Sequence, residues 1–173
     1  MKITLLSNSE KETKKIAEKI LSRFSDQLAD SRGKHHLTSS PCLIFALQGE
    51  LGSGKTQFVK GLAAGLGIKA NVPSPSFVLV REYPYHLDTV SGVFYHIDTW
   101  RMEKGEELLE VGFEKMLQPN NVIAIEWTKK VKPILEKLKR GQFLLGWWGS
   151  TFRPHSPEVE QPKAKVIWVE IKA

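Results

Sequence analysis

The octapeptide GELGSGKT at residues 49–56 constrains the fold of this chain more than any other segment. It fits the pattern GxxxxGK[ST] at every fixed position, and it closely follows CLIFAL (42–47), an apolar run that suits a strand buried on both faces. Apolar residues then recur at helical spacing until Gly67. A strand, a glycine-rich turn and a helix in this order direct backbone N–H groups and a helix dipole toward one anion. The segment therefore predicts a phosphate-binding loop, or P-loop, and its context argues against a glycine turn without a ligand.

The residues of the P-loop have separate predicted tasks in binding a nucleotide. Its glycines allow the backbone to curve so that successive N–H groups point inward. Lys55 is predicted to reach the β- and γ-phosphates, and the hydroxyl of Thr56 to ligate Mg²⁺. The predicted nucleotide-binding residues of the loop are Gly52, Ser53, Gly54, Lys55, Thr56 and Gln57.

The sequence favours ATP over GTP as the nucleotide. A GTPase needs a guanine-reading NKxD segment and a DxxG switch after its P-loop. This chain contains no NKxD, and its only DxxG, at residues 30–33, precedes the P-loop. We therefore expect ATP with Mg²⁺ as the bound species.

Two carboxylates end apolar strands downstream of the P-loop. Glu126 ends NVIAIE (121–126), and Asp98 ends VFYHID (93–98). A Mg²⁺-nucleotide site usually has an acidic residue at the end of a neighbouring strand. Either carboxylate alone could be a solvated strand end, but two after one P-loop indicate a site. His96 lies on the same strand face as Asp98, where we expect a packed histidine rather than a ligand or base.

Alternating strand and helix patterns predict an α/β fold, namely a P-loop NTPase-like three-layer domain with a largely parallel central sheet and added C-terminal strands. Residues 1–173 are expected to form one domain. A loop containing Pro84 and Gly92 is predicted between the third and fourth strands. The predicted strands are 2–6, 42–47, 77–83, 93–98, 121–126, 142–148 and 165–171. The predicted helices are 10–24, one that begins near Lys55, 103–117 and about 128–140, with loops at 25–40 and 151–162.

Composition narrows the class of protein. The single cysteine, Cys42, excludes an internal disulfide and a cysteine-based zinc site. The N-terminus shows no signal-peptide pattern, and the apolar run near the P-loop is too short to cross a bilayer. We therefore expect a cytoplasmic protein without a membrane segment.

A basic segment, Lys129–Arg140, carries six basic residues against one acidic residue and contributes to a net charge of +6. A solvated helix face is the simpler interpretation. An acidic partner surface or an RNA backbone is the alternative, and it predicts binding that weakens with salt.

Several ordered segments together resemble one family, the bacterial TsaE (YjeE) ATPases of tRNA threonylcarbamoyladenosine biosynthesis. The family has SPTF or SPTY followed by TLVxEY, then HFDLYR, an acidic helix and VEW. Order and spacing agree across residues 10–128. The matching segments here are GELGSGKT (49–56), NVPSPSFVLVREY (71–83), FYHIDTWR (94–101), GEELLEVGF (105–113) and AIEW (124–127).

The resemblance implies a P-loop fold, slow ATP hydrolysis, and accessory action with the TsaB and TsaD proteins. Those proteins modify the adenosine beside the anticodon, and contact of this chain with tRNA need not be direct. By the same resemblance, Thr56 and Glu126 would hold Mg²⁺, Asp98 would serve hydrolysis, and Glu10 would lie near the nucleotide. Ser76 stands where the family usually has threonine, and it keeps the hydroxyl of a switch.

Lys163 and Lys165 are candidates for a basic residue that the family carries near its C-terminal strands. No arginine finger is evident from the sequence, although Arg81 and Arg101 are available within the chain.

Two other functions use the same P-loop. A small-molecule or nucleotide kinase would need an arginine-bearing lid segment and an acceptor site, and neither is evident in 173 residues. A nucleotide-gated binding module would bind ATP without turnover, and multiple-turnover phosphate release would distinguish it from an enzyme.

Overall fold

The computed structural model describes residues 1–24, 40–140 and 164–172, and strands alternate with helices along most of these ranges. The predicted strand 142–148 and loop 151–162 lie outside the described residues, as does nearly all of the loop 25–40. In chain order the elements are β1 (Lys2–Leu6), α1 (Glu10–Ser22), β2 (Cys42–Gln48), α2 (Lys55–Gly65), β3 (Val80–Leu87), β4 (Val90–Asp98), α3 (Glu107–Glu110), α4 (Phe113–Met116), β5 (Val122–Glu126), α5 (Lys132–Lys139) and β6 (Ala164–Lys172).

The six strands form one sheet in the order β1-β6-β2-β5-β4-β3. All neighbouring pairs are parallel except β3 and β4, which are antiparallel. The predicted C-terminal strand β6 is present and lies inside the sheet, between β1 and β2. The predicted largely parallel sheet is therefore confirmed.

Alternate side chains of β2 enter two separate cores. Leu43, Phe45 and Leu47 pack with α1 and α2 on one face of the sheet. Ile44 and Ala46 pack with α3, α4 and α5 on the other face. All of these residues are fully buried, as predicted for a central strand covered on both sides. The predicted three-layer arrangement is confirmed.

Two capping hydrogen bonds fix the start of α1. The Ser9 hydroxyl accepts a hydrogen bond from the Glu12 backbone N–H at 3.2 Å, and the Glu12 carboxylate accepts one from the Asn8 N–H at 2.8 Å. The cap sets the first turn of α1 at the carboxyl end of β1. This end of the helix borders a cavity at the carboxyl edge of the sheet.

The predicted loop between the third and fourth strands is wrong. Pro84 and Gly92 both lie within strands, because β3 and β4 form a hairpin that turns at Asp88, where φ is +52°. Pro84 has no N–H to donate, but β3 is the edge strand of the sheet and tolerates it. The predicted strand 77–83 also begins later, at Val80, because the Val78 and Leu79 N–H groups close a turn onto the Pro75 carbonyl.

The predicted single helix 103–117 is also wrong. It is two short helices, α3 and α4, separated at Gly112, whose φ of +80° interrupts helical geometry. The basic helix begins at Lys132 rather than near residue 128, with Pro133 in its first turn. Within the described ranges, no helix is long and apolar enough to cross a membrane.

Helices α1 and α2 are in close contact at Gly61. A Cβ atom at Gly61 would meet the Lys14 carbonyl oxygen at 2.4 Å and the Ala17 Cβ at 2.7 Å. At Gly65, one turn later, a Cβ would meet the flexible end of Leu21 at 2.9 Å. The two glycines therefore differ in how rigid their surroundings are.

We expect Gly61→Ala to lower the free energy of unfolding by about 1–3 kcal/mol, because the added methyl group must displace backbone. Gly65→Ala is the matched control, in which a helix-propensity gain of up to about 1 kcal/mol offsets a cheaper contact. Urea unfolding of both variants measures the difference. A Gly61→Ala protein that is as stable as Gly65→Ala contradicts the close approach of the two helices.

Candidate functional site

Three loops meet at the carboxyl edge of the sheet because their strands are neighbours. Glu126, at the end of β5, is in register with Leu47 of β2 on one side and with Asp98 of β4 on the other. The P-loop follows β2 directly. Parallel pairing therefore brings the P-loop and both predicted carboxylates to one place, where they border a cavity of about 460 Å³.

The residues to which the sequence assigned nucleotide binding, Mg²⁺ binding or hydrolysis all line this cavity. Their assigned roles in binding and hydrolysis stay predictions. The residues are Glu10, Gly52, Ser53, Gly54, Lys55, Thr56, Gln57, Ser76, Asp98 and Glu126.

The P-loop holds the Lys55 side chain beside its own backbone. Gly54 precedes α2 with a φ of +93°, a conformation that glycine adopts without strain. The Lys55 Nζ donates hydrogen bonds to the carbonyl oxygens of Gly49 at 2.9 Å and Glu50 at 2.6 Å. It also lies 3.5 Å from the centroid of the Trp127 ring, a cation–π contact. The ammonium group is therefore almost enclosed, with 4% of the residue exposed.

Burial and charge act in opposite directions on Lys55. Burial lowers the pKa of Lys55 below its ordinary value, because the charged form loses solvation. The carboxylates of Glu126 and, to a lesser extent, Asp98 raise this pKa. The two acids therefore help to keep a buried cation at the phosphate loop.

Thr56 and Glu126 form an oxygen pair of the kind that Mg²⁺ prefers. The Thr56 hydroxyl donates to the Glu126 Oε1 at 3.0 Å and lies 3.3 Å from Oε2. Adjacent ligands in an octahedron with Mg–O distances of 2.0–2.1 Å are about 2.9 Å apart. The chemistry and spacing of this pair therefore fit a Mg²⁺ ion that also takes phosphate and water oxygens.

His96, on the neighbouring strand β4, contacts the same Glu126 carboxylate. Its Nε2 lies 2.8 Å from the Glu126 Oε1, and neither residue is more than 3% exposed. The expected packed histidine is thus found, but the sequence did not predict its contact with Glu126. Neither strand pattern alone reveals it, because it depends on how β4 and β5 pair.

Asp98 organises the segment NVPSPSFVLVREY (71–83), which resembles the switch segment of the family and is called the switch-like segment from here on. Its Oδ2 accepts hydrogen bonds from the hydroxyls of Ser76 at 2.7 Å and Ser74 at 3.2 Å. Its Oδ1 accepts the backbone N–H of Trp100 at 2.9 Å. Ser76 thus retains the hydroxyl of the family's threonine and uses it to bind Asp98.

Trp127 has an uncommon backbone conformation for a large side chain, with a φ of +63°. The Thr99 hydroxyl bonds to the carbonyl oxygens of both Glu126 and Trp127 at 2.9 Å and supports this turn. The centroids of the Trp127 and Trp100 rings are 4.4 Å apart. This turn places the Trp127 ring against the Lys55 ammonium group.

Several cavity residues were not predicted. Ser74 and Trp127 lie inside the quoted motifs PSPSF and AIEW, so those motifs held a usable signal. The other unpredicted residues carry no comparable sequence signal. Four are polar residues near the start of α1, and one is an apolar residue in the P-loop. The unpredicted lining residues are Ser7, Asn8, Ser9, Thr13, Leu51, Ser74 and Trp127.

Neither candidate arginine is among the described residues that line the cavity. Arg101 is exposed, and its guanidinium carbon lies 4.5 Å from the Phe77 ring centroid. Arg81 is exposed on β3. Of the C-terminal candidates, Lys163 lies outside the described residues, and the Lys165 Nζ lies 4.8 Å from the Phe24 ring centroid.

A family model agrees with this geometry. The sequence model described as "Threonylcarbamoyl adenosine biosynthesis protein TsaE" matches residues 7–145. This chain belongs to the TsaE family. Its resemblance to that family is therefore confirmed, and it is a protein of the P-loop NTPase type.

Individual TsaE relatives match over parts of their length. Three proteins described as "tRNA threonylcarbamoyladenosine biosynthesis protein TsaE" illustrate this. The match is 39% identical over 88 residues in Treponema pallidum, covering 51% of this chain and 62% of the relative. The Haemophilus influenzae protein is 34% identical over 113 residues, which cover 65% of this chain and 68% of the relative. The Rickettsia felis protein is 35% identical over 132 residues, which cover 76% of this chain and 66% of the relative.

Among solved structures, the crystal structure of Bacillus subtilis YdiB matches with a TM-score of 0.44 and 29% identity. The match covers 73% of this chain and 65% of that chain.

The opposing influences on Lys55 give a prediction. Glu126→Gln removes a charge that raises the Lys55 pKa, so we expect this pKa to fall further in protein free of nucleotide and Mg²⁺. Asp98→Asn should lower it less, because Asp98 has the smaller influence. NMR titration of the lysine side chains measures both shifts, with Glu114→Gln as a control outside the cavity. An unchanged Lys55 pKa in Glu126→Gln contradicts the described electrostatics.

Proposed function

We propose that this protein is a Mg²⁺-dependent, slowly hydrolysing ATPase that is required to form threonylcarbamoyladenosine next to the anticodon of tRNA. One observation carries the proposal. A complete P-loop shares a cavity with two strand-end carboxylates in a chain that belongs to the TsaE family.

The P-loop would bind the phosphates of ATP through its backbone N–H groups and Lys55. Thr56 and Glu126 would hold Mg²⁺, and Glu10 at the start of α1 would lie near the nucleotide. The metal supplies positive charge that neutralises the phosphate oxygens. The adjacent Thr56 and Glu126 oxygens, 3.0 Å apart, support this assignment.

Hydrolysis would depend on Asp98 and Ser76. Asp98 is 3% exposed and lines the cavity, where its carboxylate can accept a hydrogen bond from an attacking water. Its bonds to Ser74 and Ser76 would keep the switch-like segment in place. Turnover by the protein alone is expected to be slow, because no arginine is among the described residues lining the cavity.

The rim of the cavity supports action with partner proteins. Four of the six large apolar side chains exposed in the described part of the chain belong to the P-loop tip, the switch-like segment or the strand end beside it. They are Leu51, Phe77, Val78 and Trp100. Clustered aromatic and aliphatic residues next to an arginine are typical of protein interfaces. We infer that TsaB- and TsaD-like proteins bind at this rim and change the rate of hydrolysis.

Direct contact with tRNA is not needed for this function. The basic residues of Lys129–Arg140 lie on the exposed side of α5 and the segment before it, while Ile134, Leu135 and Leu138 face the core. This arrangement suits a solvated helix face. Contact with an acidic partner or with RNA stays an alternative that salt-dependent binding would reveal.

The test is mass spectrometry of tRNA nucleosides from cells depleted of the protein. We expect threonylcarbamoyladenosine to fall on depletion and to return with the wild-type chain but not with Asp98→Asn. Asp88→Asn is the matched control, because Asp88 is exposed in the hairpin turn, where asparagine tolerates the positive φ. An unchanged level of the modified nucleoside after depletion contradicts the tRNA function and leaves the ATP site untouched.

A further inference from the structure

We propose that His96 is the positioning residue of the metal site, holding the Glu126 carboxylate in place to receive Mg²⁺. The inference rests on the proposed function, in which Glu126 is a metal ligand. It adds a role for a buried residue of β4 that the family motif alone does not explain.

Glu126 is a buried carboxylate whose Oε1 receives hydrogen bonds from two side chains. The Thr56 hydroxyl approaches from the P-loop helix at 3.0 Å, and the His96 Nε2 approaches from β4 at 2.8 Å. Thr56 must also use its oxygen as a metal ligand. His96 comes from a strand that has no other task at the metal, so it can fix Glu126 whether or not the metal is bound.

The register of the sheet makes this contact rigid. His96 pairs with Ala124 and Asp98 pairs with Glu126 across the same two strands. His96 and Asp98 are two residues apart and therefore on the same face of β4. The strand that carries Asp98 thus also contacts Glu126 through His96, and this contact keeps the two carboxylates at a fixed separation.

The other ring nitrogen indicates that packing is not the reason for a histidine here. His96 is fully buried, and its Nδ1 has no hydrogen-bond partner among the described residues. A buried ring nitrogen without a partner costs free energy, which a leucine at this position would avoid. The Nε2 contact to a carboxylate places the ring proton on Nε2, and that donation offsets the cost. Partners in this second layer of a metal site orient the ligands themselves.

The experiment compares His96→Leu, which removes the donor, with His96→Gln, whose amide can still donate to Glu126. His96→Asn is a second donor-removing variant if leucine prevents folding, because its shorter amide cannot reach. His86→Gln is the matched control on the exposed hairpin. Calorimetry measures the dissociation constant of ADP in EDTA and in saturating Mg²⁺. Their ratio gives the Mg²⁺ coupling.

We expect His96→Leu and His96→Asn to reduce the Mg²⁺ coupling about tenfold or more, and to leave the affinity in EDTA unchanged. His96→Gln and His86→Gln should retain the coupling. Full coupling in His96→Leu overturns the inference, as does an equal loss of affinity in EDTA and in Mg²⁺, which marks a structural role. A wild-type protein without any Mg²⁺ coupling overturns the proposed metal site itself and this inference with it.

Discussion

The hydrogen bond from Thr56 to Glu126 joins the P-loop to the carboxyl end of β5. Glu126 is 3% exposed, so its carboxylate requires donors within the protein. It receives one from the helix after the P-loop and one from His96 on β4. The carboxylate therefore ties the start of α2 to the carboxyl ends of β4 and β5. The position of Lys55 depends on the same junction, because the residue after Glu126 supplies the ring that covers its ammonium group.

A second junction at Asp98 connects this rigid edge to an exposed segment. Asp98 binds Ser74 and Ser76, and the next residue of that segment, Phe77, is 86% exposed. A change at the phosphates could thus reach the surface through one carboxylate and two hydroxyls. In the proposed function, this short path would let a partner sense the nucleotide. Serine here keeps the hydroxyl that contacts Asp98, at a position where the family usually has threonine.

The sequence was informative where the signal is local. The P-loop could be predicted because its residues are adjacent in the chain. The apolar runs before Asp98 and Glu126 likewise predicted two strands, each ending in a carboxylate. The prediction failed where tertiary structure overrides local preference. Pro84 suggested a loop, but the edge position of β3 tolerates a missing N–H. The contacts of His96 with Glu126 and of Trp127 with Lys55 could not be predicted, because they depend on strand register and on a positive φ.

The proposed function requires that this cavity bind Mg²⁺-ATP through Lys55. The most direct measurement is a calorimetric titration of ATP into the protein in Mg²⁺, with Lys55→Ala and Lys69→Ala compared to the wild type. Lys69 is exposed beyond α2 and is not among the residues lining the cavity. We expect saturable one-site binding to the wild type and to Lys69→Ala, and loss of that binding in Lys55→Ala. Wild-type affinity in the Lys55→Ala protein would contradict this requirement.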